Sequence, residues 1–357
     1  EQSSGEQIHA RQHPHDLFME LAGQYDVTRA GPVRLQVYGG PVGEPALGPV
    51  AYPHRTSAMP NPLAPIAHHW LDSTHVSFGV VTAGVYGNKW KAEGSVFNGR
   101  EPDERRTDFD FGSLNSFSGR LWFLPTAAIA LQVSAGRLKE AEAAEGAGLR
   151  TDVKKVTASA TYHRLRERSV WASTLAWGRN SESGLGTSAI LLESSFILAD
   201  RDAWFGRLEV GGKTPHELAL ATPSEDPLTV TKVQGGYTRY FAEVRGFRAG
   251  LGAEASVGFV PAGFRSVYGS RANVGAGIFL TIRPALMTSA SMSHPGGMVM
   301  VQTAFDPTKL ACSPPIDPAT APSTIYEGRT YYFCSERDRA EFLIDPKMSL
   351  SMMPPKQ

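Results

Sequence analysis

The chain has 357 residues with 35 basic and 35 acidic side chains, so it presents no net field to draw in nucleic acid or anionic surfaces. Hydrophobic residues make up 41%, mean hydropathy is −0.22, and no apolar run approaches the ~20 residues of a membrane helix, which excludes a helical membrane protein. Two cysteines, Cys312 and Cys334, exclude both a disulfide-dense scaffold and a four-thiolate zinc site.

A low mean hydropathy leaves a membrane barrel open, because lumen-facing polar residues offset lipid-facing apolar ones. Residues 1–11 are polar, with no initiator Met and no signal peptide, so a processed or truncated product is expected. About thirteen strand candidates follow, beginning at 17–26, 33–38 and 75–86. Weaker ones run through 90–97, 117–124, 170–178, 203–210 and 230–244. The clearest have one wholly apolar parity. Ile129, Leu131, Val133 and Ala135 alternate with Ala130, Gln132, Ser134 and Gly136. Val156, Ala158, Ala160 and Tyr162 alternate with Lys155, Thr157, Ser159 and Thr161. Residues 248–259 and 274–283 repeat the pattern, and side chains on a strand alternate faces with period two. Trp90, Trp171, Trp177, Trp204, Tyr162, Tyr237 and Phe259 fall where an interfacial aromatic girdle, or ordinary core packing, would use them.

The connectors alternate. Short links are expected at 27–32, 87–88, 125–126, 165–168, 200–202 and 245–247. Long ones are expected at 39–73, 99–115, 138–151, 179–186, 211–228 and 261–273. Short turns at one end and long loops at the other mark outer-membrane barrels, whose short turns face the periplasm. The expected fold is therefore all-β: an antiparallel transmembrane β-barrel over residues 1–290, followed by a small α+β domain over 303–350. An odd strand count with an external start implies missing N-terminal strands, in a barrel of ~16 when whole. A helical 17–21 would remove that need.

The lumen-facing parity is expected to carry Lys91, Glu93, Arg120, Lys155, Arg207, Glu209, Arg239, Glu243 and Glu254. Mixed charge of this kind gives no ion preference and fits a cross-lumen salt-bridge network. Seven of the 10 histidines precede position 76. His13, His15 and Asp16, and the pair His68 and His69, offer donors for Cu or Zn. The plainer role for these residues is to hold a Pro-rich loop folded into or over the barrel mouth. His69, Ser73 and His75 could be drawn as a nucleophile with its base, but no Gly-x-Ser-x-Gly occurs, and no enzyme is expected.

Beyond Pro284, residues 306–324 are Pro-rich. Ile325-Tyr326 leads into a turn at Glu327-Gly328-Arg329, then a short strand at 331–334 and a helix at 336–343. Tyr326-Glu327-Gly328-Arg329-Thr330-Tyr331-Tyr332-Phe333-Cys334-Ser335, with Phe342 and Asp345-Pro346, resembles the YHS family, a short metal-associated module. The resemblance implies thiolate ligands at Cys312 and Cys334. The family's further Cys is Asp338 here, which leaves two alternatives: Asp338 as an oxygen ligand, or a decayed site with a Cys312–Cys334 disulfide. The barrel is similar to an uncharacterised bacterial outer-membrane family through residues 11–20, 68–75 and 99–103. That resemblance implies a setting of copper and heavy-metal resistance.

The combined expectation is an outer-membrane barrel, seated in outer-membrane lipid, with its C-terminal domain in the periplasm. It would pass or handle heavy-metal ions, copper first, using Cu or Zn and no organic cofactor, with a periplasmic metal-handling protein as partner. The alternative is a structural barrel whose small domain docks a periplasmic partner without metal.

Overall fold

The computed structural model describes residues 2–3, 6–7, 17–28, 33–102, 107–143, 150–166, 168–215, 226–286, 323–326 and 329–332. Two compact units divide the chain, one formed by Glu1–Ala285 with Val301–Thr303, the other by Leu286–Met300 with Ala304–Gln357.

The first unit holds a short hairpin, Gln2–Ser3 with Glu6–Gln7, and a meander of thirteen antiparallel strands in one sheet, each paired with its neighbours in sequence. They are β1 (Leu21–Thr28), β2 (Arg34–Gly43), β3 (Ser77–Tyr86), β4 (Trp90–Phe97), β5 (Ser116–Thr126), β6 (Ile129–Ala143) and β7 (Arg150–Arg166). There follow β8 (Ser169–Glu182), β9 (Leu185–Leu198), β10 (Asp202–Lys213), β11 (Leu228–Tyr240), β12 (Phe247–Phe259) and β13 (Ala272–Pro284). The count of thirteen agrees with the alternation in the sequence. β1 and β13 are not paired with each other among the described residues and, being an even number of strands apart in an antiparallel meander, run in the same direction. Residues 17–20 are irregular, so a helix at 17–21 is corrected.

The period-two pattern is realised as two faces. On β6, Leu131 and Val133 are exposed while Gln132 and Ser134 are buried; on β9, Ile190, Leu192 and Phe196 are exposed while Leu191, Glu193 and Ser195 are buried. Apolar residues point out and polar ones in, the inverse of a soluble sandwich. The sheet curls around its polar face. Asp200, between β9 and β10, accepts from Arg283 on β13 at 2.5 Å and from Arg168, between β7 and β8, at 3.3 Å. At ~4.8 Å per strand, a flat sheet would hold those arginines too far apart to reach one carboxylate.

Links following the even-numbered strands lie at one end, here the loop end, and the others at the turn end. Two of the expected long loops are corrected. Strands β6 and β7 extend to Ala143 and Arg150, and β8 and β9 meet at a tight Ser183-Gly184 turn with φ of 48° and 88°. The polar residues that read as loop there belong to strands whose inner face is polar: Asn180 reaches the His69 carbonyl and Glu182 accepts from Thr151.

Two assignments to the lumen are also corrected. Arg239 shares the outward parity of Val233 and Tyr237 and pairs with Asp202 at 2.5 Å at the turn end. Glu243 lies in the 241–246 turn, exposed, 3.7 Å from Arg248. Of the aromatic girdle, Tyr162 packs edge-on to Trp171 at 5.2 Å, and Trp204 lies 5.4 Å from Tyr237, all near the turn end.

In the second unit the described residues form one antiparallel hairpin, Ser323–Tyr326 with Arg329–Tyr332, in the expected place. The expected strand residues Phe333 and Cys334 and the helix at 336–343 lie outside the described residues.

Candidate functional site: a loop packed into the lumen

Residues 44–76 join β2 to β3 and carry six prolines, at 45, 49, 53, 60, 62 and 65. Proline removes backbone donors and fixes φ, so this stretch forms no strand, only a helical turn, α1 (His68–Leu71), and a 3-10 turn at Ser73–His75. Its remaining backbone groups must find partners elsewhere. The inward side chains of the wall supply them. Ser95 on β4, Ser134 on β6 and Glu209 on β10 accept from the N–H groups of Ala46, Gly48 and Ala67, at 2.7, 2.8 and 2.9 Å. Lys155 on β7 donates to the His69 carbonyl at 2.8 Å and to Ser73 Oγ at 2.7 Å, and Arg207 donates to the Leu63 carbonyl at 2.8 Å. Ser195 on β9 donates to the Thr56 carbonyl at 2.9 Å.

A chain of buried charge runs through the contact. Arg55 donates from Nη1 to Asp72 at 3.0 Å and from Nε to Glu193 at 2.5 Å; Arg207 donates to the other Glu193 oxygen at 3.1 Å. Ser57 adds a bond to Glu193 at 2.8 Å and meets Thr174 on β8 at 2.7 Å. The Asp72 carboxylate also meets His68 Nδ1 at 2.7 Å and accepts from the Tyr52 N–H at 2.7 Å. Burial raises the cost of ionising Asp72, but the neighbouring His68 and Arg55 outweigh it and hold the carboxyl well below the usual range. Near the start of the loop, Glu44 pairs with Arg120 at 3.2 Å; burial pushes its pKa up to about 7 despite that guanidinium.

Shape secures the same loop. Trp70 is wholly buried, donates from Nε1 to Thr187 at 2.8 Å, and sits under the Lys213 ammonium, 4.8 Å from the ring centre. A Cβ at Gly178 would lie 2.6 Å from the Trp70 carbonyl oxygen, so the wall needs glycine there. Gly48, with φ of +86°, has the Leu71 carbonyl where a Cβ would stand, at 2.1 Å.

Among the candidates from the sequence, His68 is buried against Asp72, and the His69 ring packs edge-on to Trp70 at 5.2 Å. Both are therefore parts of the packed loop. His13, His15, Asp16, Cys312, Cys334 and Asp338 lie outside the described residues. Among the described residues no group of three or more His, Cys, Asp or Glu side chains is placed to share a metal ion. Ser73 Oγ donates to the His69 carbonyl at 3.1 Å and accepts from Lys155, a clamp between loop and wall. Lys155, Arg207, Glu209 and Arg120 were legible as inward charges. Glu193 and Arg55 were not, although Glu193 stands on the buried parity of Leu191 and Ser195.

No family model matches the chain, and no curated protein matches it. Several solved outer-membrane proteins resemble it distantly. An anion-selective porin from Comamonas acidovorans is 12% identical, with 74% of this chain and 88% of that one covered, at a TM-score of 0.44. The loop L8 deletion mutant of OmpT, an outer membrane protein of Vibrio cholerae, is 12% identical over 73% and 89%, at 0.42. Pseudomonas aeruginosa OccK5 (OpdH) is 9% identical over 72% and 79%, at 0.31. Neither the YHS module nor the metal-resistance family has a counterpart among these matches, and the fold assignment rests on the strands and faces described above.

Proposed function

We propose that this chain is an outer-membrane β-barrel whose own loop, residues 44–76, is held in the lumen and limits what crosses it. The supporting observation is the outward face of β7, which reads Lys154, Val156, Ala158, Ala160, Tyr162, Arg164. Ten residues at ~3.4 Å each, tilted by ~45°, span roughly 24 Å between the two cations, the height of a barrel's apolar band. Polar atoms inside that band satisfy one another: Ser173 and Ser194 meet at 2.8 Å, and Trp171 Nε1 donates to Ser173 at 3.1 Å. Spin labels at cysteines replacing Lys154, Ala158, Ala160 and Arg164 test this. In bilayers, the two central labels should relax with oxygen and the flanking two with a water-soluble nickel chelate; uniform access by the chelate would refute a membrane barrel.

The role is proposed to be non-catalytic. A finer proposal is that the transported or handled species is a heavy-metal ion, copper first, met in the periplasm by Cys312, Cys334 and Asp338, with His13, His15 and Asp16 on the outer side, while His68 and His69 serve the packed loop. What supports it is the Tyr331-Tyr332-Phe333-Cys334-Ser335 motif and the crowding of histidine before position 76. Copper and zinc content of the purified full chain, reduced and oxidised, tests it. Stoichiometric copper lost in Cys312→Ser/Cys334→Ser is expected; no metal in either state would favour a domain that docks a periplasmic partner.

A further inference from the structure

We propose that the outer face of β6, β7 and β8 is a binding site for a phosphorylated, multi-acyl lipid of the outer leaflet, a glycolipid of the lipid A class. This inference rests on the membrane reading above and adds to it a specific occupant.

The site has two parts in register. The first is a groove of about 840 Å³ on the lipid-facing side. Its floor is Ala158 and Ala160. Cross-strand partners make its walls: Val133 and Trp177 stand opposite Ala158, and Leu131 and Leu175 stand opposite Ala160. Small residues on one strand between large ones on both neighbours leave a valley along β7, which suits a hydrocarbon chain lying with the strand.

The second part lies beyond the groove toward the loop end, past the Ala135–Val156 pair. Arg137 on β6 is the direct cross-strand partner of Lys154 on β7, and Arg179 on β8 is the diagonal neighbour of Lys154. All three stand on the outward parity. Like charges directly opposite each other destabilise a sheet unless an anion lies between them. Asp152 is drawn to Arg137 at 3.0 Å and Lys139 at 3.1 Å. Lys154 and Arg179 have no acidic partner among the described residues. The Arg179 guanidinium lies over Gly186, where a Cβ would collide with it, so the backbone makes room for that cation on the outer surface.

A row of cations at the head of an apolar groove fits an amphiphile with anionic headgroup oxygens and several acyl chains. The loop end faces outward in such barrels, which selects the outer leaflet as the source. Guanidinium and ammonium groups on adjacent strands suit phosphate esters, the guanidinium by bidentate bonding.

Native mass spectrometry of the purified full chain in detergent tests the proposal, titrating bisphosphorylated lipid A, its dephosphorylated form, phosphatidylglycerol and inorganic phosphate. One bisphosphorylated lipid A should bind in preference to the other three. Lys154→Gln/Arg179→Gln should weaken it roughly 30-fold and abolish the preference over the dephosphorylated form. Ala158→Leu/Ala160→Leu, which fills the groove, should weaken both lipid A forms alike. Equal binding of phosphorylated and dephosphorylated lipid, displacement by inorganic phosphate, parity with phosphatidylglycerol, or unchanged affinity in the double variants would each overturn the site. If the chain still shows spin-label access typical of a barrel, only the lipid site falls; if it fails to insert at all, both readings fall.

Discussion

Arg55 and Glu193 stand 138 residues apart in sequence and meet at 2.5 Å inside the lumen, with both side chains almost wholly buried. Asp72 on one side and Arg207 on the other extend the pair into a chain of alternating charge, so each ion is matched. Removing Arg55 takes a buried cation from both Glu193 and Asp72, leaving Arg207 and His68 as their remaining partners. Arg55→Ala should therefore destabilise the packed loop by about 3–5 kcal/mol, whereas Arg55→Lys, which keeps a cation between the two carboxylates, should cost less. Hydrogen exchange of residues 50–76 in the two variants measures this, and equal protection in both would argue against the pairing as the loop's main tether.

Trp70 fills the space between loop and wall. Truncating it to alanine opens a cavity, at a cost of about 3–5 kcal/mol, and frees the Thr187 hydroxyl. Limited proteolysis should then cut within 44–76 while leaving the strands intact. A fragment pattern identical to that of the parent would contradict the packing described.

Glu44 makes stability depend on pH near neutrality. Its folded pKa of about 7 lies above the ordinary value of 4.5, so the folded chain holds the proton more tightly than the unfolded one. Stability from this group is full below ~4.5 and is lost as pH rises through 7. Glu44→Gln should remove that loss, a gain over the parent on the order of 2 kcal/mol at pH 8. Urea unfolding in detergent at pH 5 and pH 8 reads it; a variant that gains equally at both would contradict the assignment.

Asp72 works in the opposite sense. Its folded pKa is depressed, so its contribution is present above the ordinary carboxyl value and is lost as pH falls through the folded one. Asp72→Asn should flatten the acid limb of the unfolding curve and expose the loop to protease even at pH 7.

Gly48 tests the backbone alone. At φ of +86° with the Leu71 carbonyl beside it, even Gly48→Ala should displace the loop from α1. Loss of exchange protection at residues 67–75, with strand protection unchanged, is the expected result.

The strands were legible because nothing but period two explains Ile129 to Gly136 or 248–259. Alternation survives even where the inward residues are glycine. Strand ends were less so: Asn180 and Glu182 look like loop residues, yet their polarity belongs to the inner wall. Arg239 was placed inside because charge marks the lumen along most of a strand, but at a strand end an outward arginine reaches water and here reaches Asp202. The lumen loop was legible only as a Pro-rich stretch that folds into or over the mouth. Its tethers join residues from tens to well over a hundred positions apart, and no local periodicity records such pairs.

The most direct test of a loop held inside the lumen is a crosslink between Ser57 and Thr174, whose hydroxyls meet at 2.7 Å. Cysteines at these two positions, in a chain with Cys312 and Cys334 replaced by serine, should form a disulfide nearly quantitatively in the membrane-inserted protein. A control pairing Ser57→Cys with Ser173→Cys, one residue away on the outward face, should not. Equal crosslinking of the two pairs, or none in either, would contradict the account.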